Sequence, residues 1–329
     1  MRILSGIQPT GLPHLGNYFG MMKPAIELQE QGEALYFIAD LHALTTVRDP
    51  EALRRNSREI AIDFLACGLD PARACLFRQS DITCVPELAW ILSTVTPMGL
   101  LERCHSYKDK LAKGLHSSLG LFSYPVLMAA DILAYDSDVV PVGRDQKQHL
   151  EIARDIATKI NELYGDSLAP IFKLPKPIIR DEAAAIPGTD GAKMSKSYGN
   201  TIELFMTEAL LKKKIMSIQT DSTPVESPKP IEGSAILGMY RHVASPADYT
   251  TMEAEFLAGG KGYGDFKKLL FGAVWEYFAP MREERIRFAT DHTIVDQILH
   301  DGAERAAAIT VPVMERLRRS IGLTQAFSC

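Results

Sequence analysis

Short apolar runs alternate with helical periods through the first half of the chain, and no other feature restricts its fold as much. Arg2-Ile3-Leu4-Ser5 is an apolar run that stops at Gly6. Gly6, Pro9, Gly11, Pro13 and Gly16 punctuate the loop that follows, and a helical pattern starts at Tyr18. Leu35–Asp40 reads as a second buried strand, Ala74–Arg78 as a third and Val139–Val142 as a fourth. Helices are expected between them over 50–67, with Asp49 as N-cap and Gly68 as stop, over 85–92, and from Asp145 to about Tyr164. Strands that alternate with helices pair in parallel and are covered on both faces. In such sheets ligands sit at the carboxyl ends of the strands, where the strand order reverses. Gly6–Asn17, Asp40–His42 and Gly143–Gln146 should therefore converge.

From about Leu204 to His300 the pattern is helical, broken by Pro224, Pro228, Pro230, Pro246 and Gly259-Gly260, without a convincing strand. The expected fold is α/β, a Rossmann-like parallel sheet with a smaller α-helical domain. The domains are a catalytic unit over 1–187 and a helical unit over 188–292, with a last helix at about 293–329 packing back on the first. Glu102–Lys110 interrupts the alternation as a polar insertion, a lid or interface element. No internal repeat or low-complexity tract occurs.

At 329 residues, with 46% hydrophobic and 23% charged residues, the composition is that of a globular protein. The most apolar stretch, Tyr124–Tyr135, is too short to span a bilayer and contains Asp131. No signal peptide is read at the N-terminus. The five cysteines are odd in number and never form CxxC, which excludes a disulfide framework or zinc knuckle and points to the reducing cytoplasm. The net charge of −5 excludes a non-specific nucleic-acid coat and leaves local basic patches as the only means of meeting one.

Gly191-Ala192-Lys193-Met194-Ser195-Lys196-Ser197 places two lysines and two hydroxyls on a loop with no evident apolar face, flanked by turn-forming residues. Phosphate is the natural ligand of such a loop; a solvated basic turn is the plain alternative. A distant segment asks for the same ligand. Gln8–Asn17 fits neither GxGxxG nor the P-loop pattern, yet sets glycines beside His14, Asn17 and a helix N-terminus whose free amides attract anions.

These two segments carry a resemblance. His14-Leu15-Gly16-Asn17 is similar to the HIGH signature of class I aminoacyl-tRNA synthetases, and Lys193–Ser197 reads KMSKS. Ser5–Pro9, Tyr124–Leu133 and Val140–His149 narrow the resemblance to the tryptophanyl family, over the whole chain. The tyrosyl family usually has glutamine where Met128 stands; methionine offers a polarizable wall suited to an indole. Asp131 then suits the indole N–H, a donor that needs an acceptor when buried.

The resemblance implies activation of L-tryptophan with ATP and transfer of tryptophan to tRNA(Trp). It also implies Mg²⁺ carried on the ATP phosphates rather than by protein ligands, and a homodimer. Lys193 and Lys196, with Ser195, would hold the leaving phosphates, and Lys110 would reach the triphosphate from the polar insertion. Gln8, Pro9, Thr10, His14, Gly16, Asn17, Met194 and Ser197 would line the ATP site. Gly143 would lie under the adenosine, beside Arg144, with Asp145 at the ribose and Ile186 at the adenine edge. Tyr124, Met128, Asp131, Gln146, His42, Leu4 and Gly6 would surround tryptophan. Leu4 stands where the family often has an aromatic residue, and Arg144 where an acidic one is common.

Lys212-Lys213-Lys214, Lys267-Lys268 and Arg316, Arg318 and Arg319 are candidate phosphate contacts for the tRNA. His105, His116, His242, His292 and His300 have no i, i+4 metal spacing. The alternatives are tyrosine specificity, a regulatory relative without catalysis, and another nucleotidyl transferase that ignores tRNA.

Overall fold

The structure is a computed structural model that describes residues 1–104, 118–143, 146–166, 169–179 and 186–324. Among the described residues, five strands form one parallel sheet: β1 Arg2–Ile7, β2 Glu33–Ile38, β3 Ala74–Arg78, β4 Val139–Val142 and β5 Lys176–Ile179, in the order β3-β2-β1-β4-β5. The order reverses between β1 and β4. There the two strands share only the pair Ile3↔Val139, while β4 pairs with β5 along four residues. Pro141 is tolerated in an inner strand because pairing with β1 has already ended. Beyond that pair β1 and β4 part, and a crevice opens.

Two strand boundaries differ from the sequence reading. β1 continues through Gly6 to Ile7, because this glycine marks a close approach rather than a stop. A Cβ at Gly6 would lie 2.4 Å from the Phe37 ring on β2. β2 ends at Ile38, and Asp40 opens the short helix Asp40–Ala43. β5 had no sequence signal: it is four residues long and includes Pro177, which its edge position accommodates.

Alternate side chains of the sheet feed two apolar clusters, as the period of a strand requires. Tyr36, Ile38 and Leu76 face the helix Pro50–Ala66, whose N-cap Asp49 accepts from the Glu51 N–H at 3.0 Å. Leu4, Leu35, Phe37 and Phe77 face the helices Cys84–Ser93, Leu119–Leu133 and Lys147–Tyr164. The first cluster runs on through Ile186 and Met194 into Phe256, Phe266 and Phe278 of the helical body. That body consists of Glu208–Met216, Ala235–Val243, Pro246–Ala258, Tyr263–Tyr277 and Ala279–Thr290.

The last helix, His292–Ser320, returns along β3 and shields an otherwise open sheet edge. Gly302 permits this approach, since a Cβ there would stand 2.1 Å from the Leu76 carbonyl oxygen. Arg305 donates to the Pro71 carbonyl at 2.8 Å on the same edge. Among the described residues, no helix is long and apolar enough to cross a membrane.

Candidate active site

The crevice between β1 and β4 is a cavity of ≈ 380 Å³. Its walls come from Leu4, Ser5, Gly6 and Gln8 of β1 and the loop after it, from Val140 to Gly143 of β4, and from Tyr124, Met128 and Asp131 on the helix Leu119–Leu133. His42, Phe37, Ala39, Met21, Ile132 and Gln146 complete it. The i, i+4 and i+7 spacing of Tyr124, Met128 and Asp131 puts all three on one helical face. Leu4 is buried, so the cavity wall at that position is aliphatic.

Asp131 is buried and held by two side chains. His42 Nε2 lies 2.8 Å from Oδ2, and the Gln79 amide nitrogen donates to both oxygens at 2.7 and 2.9 Å. Burial pushes the Asp131 carboxyl up from its ordinary range, while the hydrogen bonds and charge of His42, then Gln79, act against that rise. In its ionised form Asp131 only accepts, and His42 Nε2 is then the donor of this contact. A carboxylate has about four acceptor positions, so it retains capacity toward the cavity after these contacts. Tyr124 Oη meets His149 Nε2 at 2.9 Å, which turns the tyrosine ring into the wall. His149 is thereby a supporting residue of the cavity rather than one of its lining residues.

The glycine-rich loop leads to Leu15–Asn17 through a reciprocal cap. His14 Nδ1 accepts from the Asn17 N–H at 3.3 Å, and Asn17 Oδ1 accepts from the His14 N–H at 3.2 Å. Burial, then the nearby Lys196 charge, lowers His14 to about 4. The ring is neutral near pH 7, consistent with Nδ1 as acceptor.

The lysine loop sits against this segment. Leu15 N–H donates to the Ile202 carbonyl at 2.9 Å, and Leu204 N–H to the Pro13 carbonyl at 3.1 Å. Lys196 Nζ comes within 3.4 Å of the place a Gly11 Cβ would occupy. Lys196 is exposed as a residue, and partial desolvation lowers it from the ordinary lysine range, against the charge of Glu203.

The expectation that this loop has no apolar face is corrected. Met194 is buried in the first cluster, its N–H donating to the Ile186 carbonyl at 3.0 Å. A single methionine turned inward anchors the loop while Lys193 and Lys196 stay outside. Met194 and Ile186 are therefore core residues, and neither lines the cavity. Asn200 holds the loop from below: its amide oxygen accepts from the Ser195 N–H at 2.8 Å, and its nitrogen donates to Asp190 at 2.8 Å and to the Lys193 carbonyl at 3.1 Å. Ser195 and Ser197 hydroxyls are 2.9 Å apart.

The structure thus gathers Leu4, Gly6, Gln8, His42, Tyr124, Met128, Asp131, Gly143 and Gln146 around one cavity. Pro9, Thr10, His14, Gly16 and Asn17 lie on the loop and turn that follow, next to Met194–Ser197. Lys110, Arg144 and Asp145 fall outside the described residues. The arginine cluster does not form a free basic face. Arg316 is spent on Asp136 and the Ile171 carbonyl, and Arg318 on Glu87, all within the fold. Lys212, Lys213 and Lys268 do lie on the exterior.

Gln79 and Asn200 were missed. Gln79 follows the last residue of β3, where the rule for strand ends in parallel sheets could have drawn attention to it. Asn200 had no signal beyond lying in an irregular segment.

The family model described as tRNA synthetases class I (W and Y) matches residues 1–279. A tryptophan–tRNA ligase of Rhodopirellula baltica is 54% identical over 323 residues, 98% of this chain and 100% of that one. Among solved structures, a tryptophanyl-tRNA synthetase of Campylobacter jejuni complexed with ADP and tryptophan superposes with a TM-score of 0.93 at 48% identity. It covers 98% of this chain and 100% of its own. A tyrosyl-tRNA synthetase of Archaeoglobus fulgidus, at 21% identity and a TM-score of 0.64, shares the fold. On its sheet topology, its paired signature loops and these matches, the chain belongs to the class I tRNA synthetases for tryptophan and tyrosine.

Proposed function

We propose that this chain is a tryptophan–tRNA ligase. It condenses L-tryptophan with ATP to tryptophanyl-adenylate and pyrophosphate, then transfers the tryptophan to the 3′ end of tRNA(Trp). The observation that carries this reading is the cavity with a buried acceptor, Asp131, and the apolar wall of Met128, in a chain so similar to tryptophan ligases. An indole fills such a space and has one N–H to offer, which Asp131 accepts.

The tryptophan carboxylate attacks the α-phosphate, the bond from that phosphorus to the β-phosphate oxygen breaks, and pyrophosphate leaves. The protein's part is positioning and charge stabilisation. Tyr124 and Gln146 orient the amino acid, while Gln8 and Gly143 border the adenylate end of the cavity. Lys193 and Lys196, on a backbone held by Asn200, meet the charge that grows on the leaving phosphates. Lys110, from the polar insertion, joins them.

Among the described residues, no group of three carboxylate, histidine or cysteine side chains is placed as a metal cage. Mg²⁺ would be held by the ATP phosphates, whose charge it would offset.

Residues 1–187 form the catalytic domain and 188–292 the anticodon-side domain, where Lys212, Lys213 and Lys268 offer phosphate contacts. The enzyme acts as a homodimer in the cytoplasm. Exposed apolar side chains such as Trp90, 72% accessible, and Met98, 64% accessible, favour coverage by a second copy.

The test is amino-acid-dependent exchange of labelled pyrophosphate into ATP, with tryptophan and tyrosine side by side. Exchange with tryptophan alone is expected. Exchange with tyrosine would overturn the assignment of the cavity, and none with either would favour a regulatory relative.

A further inference from the structure

We infer that Gln79 is a positioning residue for amino-acid recognition, which aims the Asp131 carboxylate and keeps it an acceptor without itself touching the substrate. The inference rests on the reading of Asp131 as the acceptor of the indole N–H.

Gln79 is fully buried, outside the cavity lining, and directly behind Asp131. Its amide can sit only one way. The nitrogen faces two carboxylate oxygens, which only accept, and the oxygen takes the N–H of Leu41 at 3.1 Å and of His42 at 3.4 Å, which only donate. Turned over, it would set oxygen against oxygen and N–H against N–H. One side chain therefore ties the carboxylate to the backbone that carries His42, the other group holding Asp131. Asp40 closes the same joint from the other side, accepting from the N–H groups of Leu41 and Ser80 at 3.0 Å each.

The ionisable groups around Asp131 make this tie consequential. His42 supports the carboxylate form, Asp40 opposes it, and Tyr135 is a buried neutral neighbour. With burial and Asp40 both favouring the protonated acid, the donors of His42 and Gln79 are what hold Asp131 as an acceptor. A hydrogen bond to a charged group corresponds to about a tenfold or larger change in an equilibrium.

The experiment compares L-tryptophan with 3-benzothienyl-L-alanine, in which sulfur replaces the ring N–H, in pyrophosphate exchange across pH. The wild-type chain and two variants are assayed. The wild type is expected to prefer tryptophan strongly. In Gln79→Met that preference should fall about tenfold or more through KM rather than kcat, and tryptophan binding should strengthen only at higher pH than in the wild type.

Gln79→Glu keeps an acceptor for Leu41 and His42 but shares one proton with Asp131. It should approach wild-type affinity at acidic pH and lose it as pH rises and both carboxyls ionise. This variant guards against a folding defect in the methionine one. A wild-type enzyme indifferent to the ring N–H would overturn the reading of Asp131, and the inference with it. A wild type that discriminates, with Gln79 variants keeping the same preference and pH profile, would leave Asp131 in place and overturn Gln79 alone.

Discussion

The cavity at β1 and β4 and the lysine loop at 193–197 solve opposite problems in one active site. At the cavity, Asp131 is buried and tied to His42 and Gln79, and the half-buried Tyr124 is tied to His149. In the lysine loop it is the backbone that Asn200 ties from below and Met194 anchors from within, while Lys193 and Lys196 are exposed. On the function proposed above, the difference follows from the ligands. An indole offers one weak donor and a large apolar surface, so its site must be shaped and dry before it arrives. A triphosphate arrives hydrated and charged, and the charge to be stabilised grows only as the bond breaks. Exposed lysines on a fixed backbone can follow it.

That contrast predicts where damage should appear. Lys196→Ala should lower the rate of adenylate formation by about 10²–10³ in single-turnover experiments, with tryptophan affinity nearly unchanged. Equal loss in rate and affinity would erase the distinction between the two regions. Asp131→Asn should do the reverse, weakening tryptophan binding by about tenfold or more while the rate at saturation changes less. Calorimetric titration with tryptophan, without ATP, measures it. Asn200→Ala should act on the same quantity as Lys196→Ala but less, lowering the adenylation rate about tenfold by releasing the Ser195 N–H and the Lys193 carbonyl, without effect on tryptophan affinity. A variant with normal rate would show that Met194 alone steadies the loop.

The smallest expected effect is a stability change with pH. The folded His14 titrates near 4, below its ordinary value of 6.5. Its contribution is therefore complete above 6.5 and lost as pH falls toward 4. Asparagine caps a helix without titrating in this range, so His14→Asn should flatten that part of a denaturant-midpoint profile. An unchanged profile would assign the acid sensitivity elsewhere.

Four of the five strands and the convergence of their carboxyl ends were legible from periodicity and punctuation, because local chain geometry produces those patterns. The reading faltered where a residue's role is defined by a distant neighbour. Gly6 looked like a strand end and is instead the space taken by the Phe37 ring. Met194 looked like part of a polar loop and is its apolar anchor. Arg316 and Arg318 looked like a basic face and are held by carbonyls and carboxylates of the fold.

By itself, then, the sequence determined the alternating architecture, the two phosphate-seeking segments and the kind of side chain needed for an indole. Each of these is written in spacing along the chain. Only the tertiary structure decided that β1 and β4 part after one pair, that Lys196 reaches the Gly11 loop, and that Gln79 and Asn200 hold the two halves of the site in place. Those facts depend on hydrogen bonds and packing between segments far apart in sequence, where no local pattern records them.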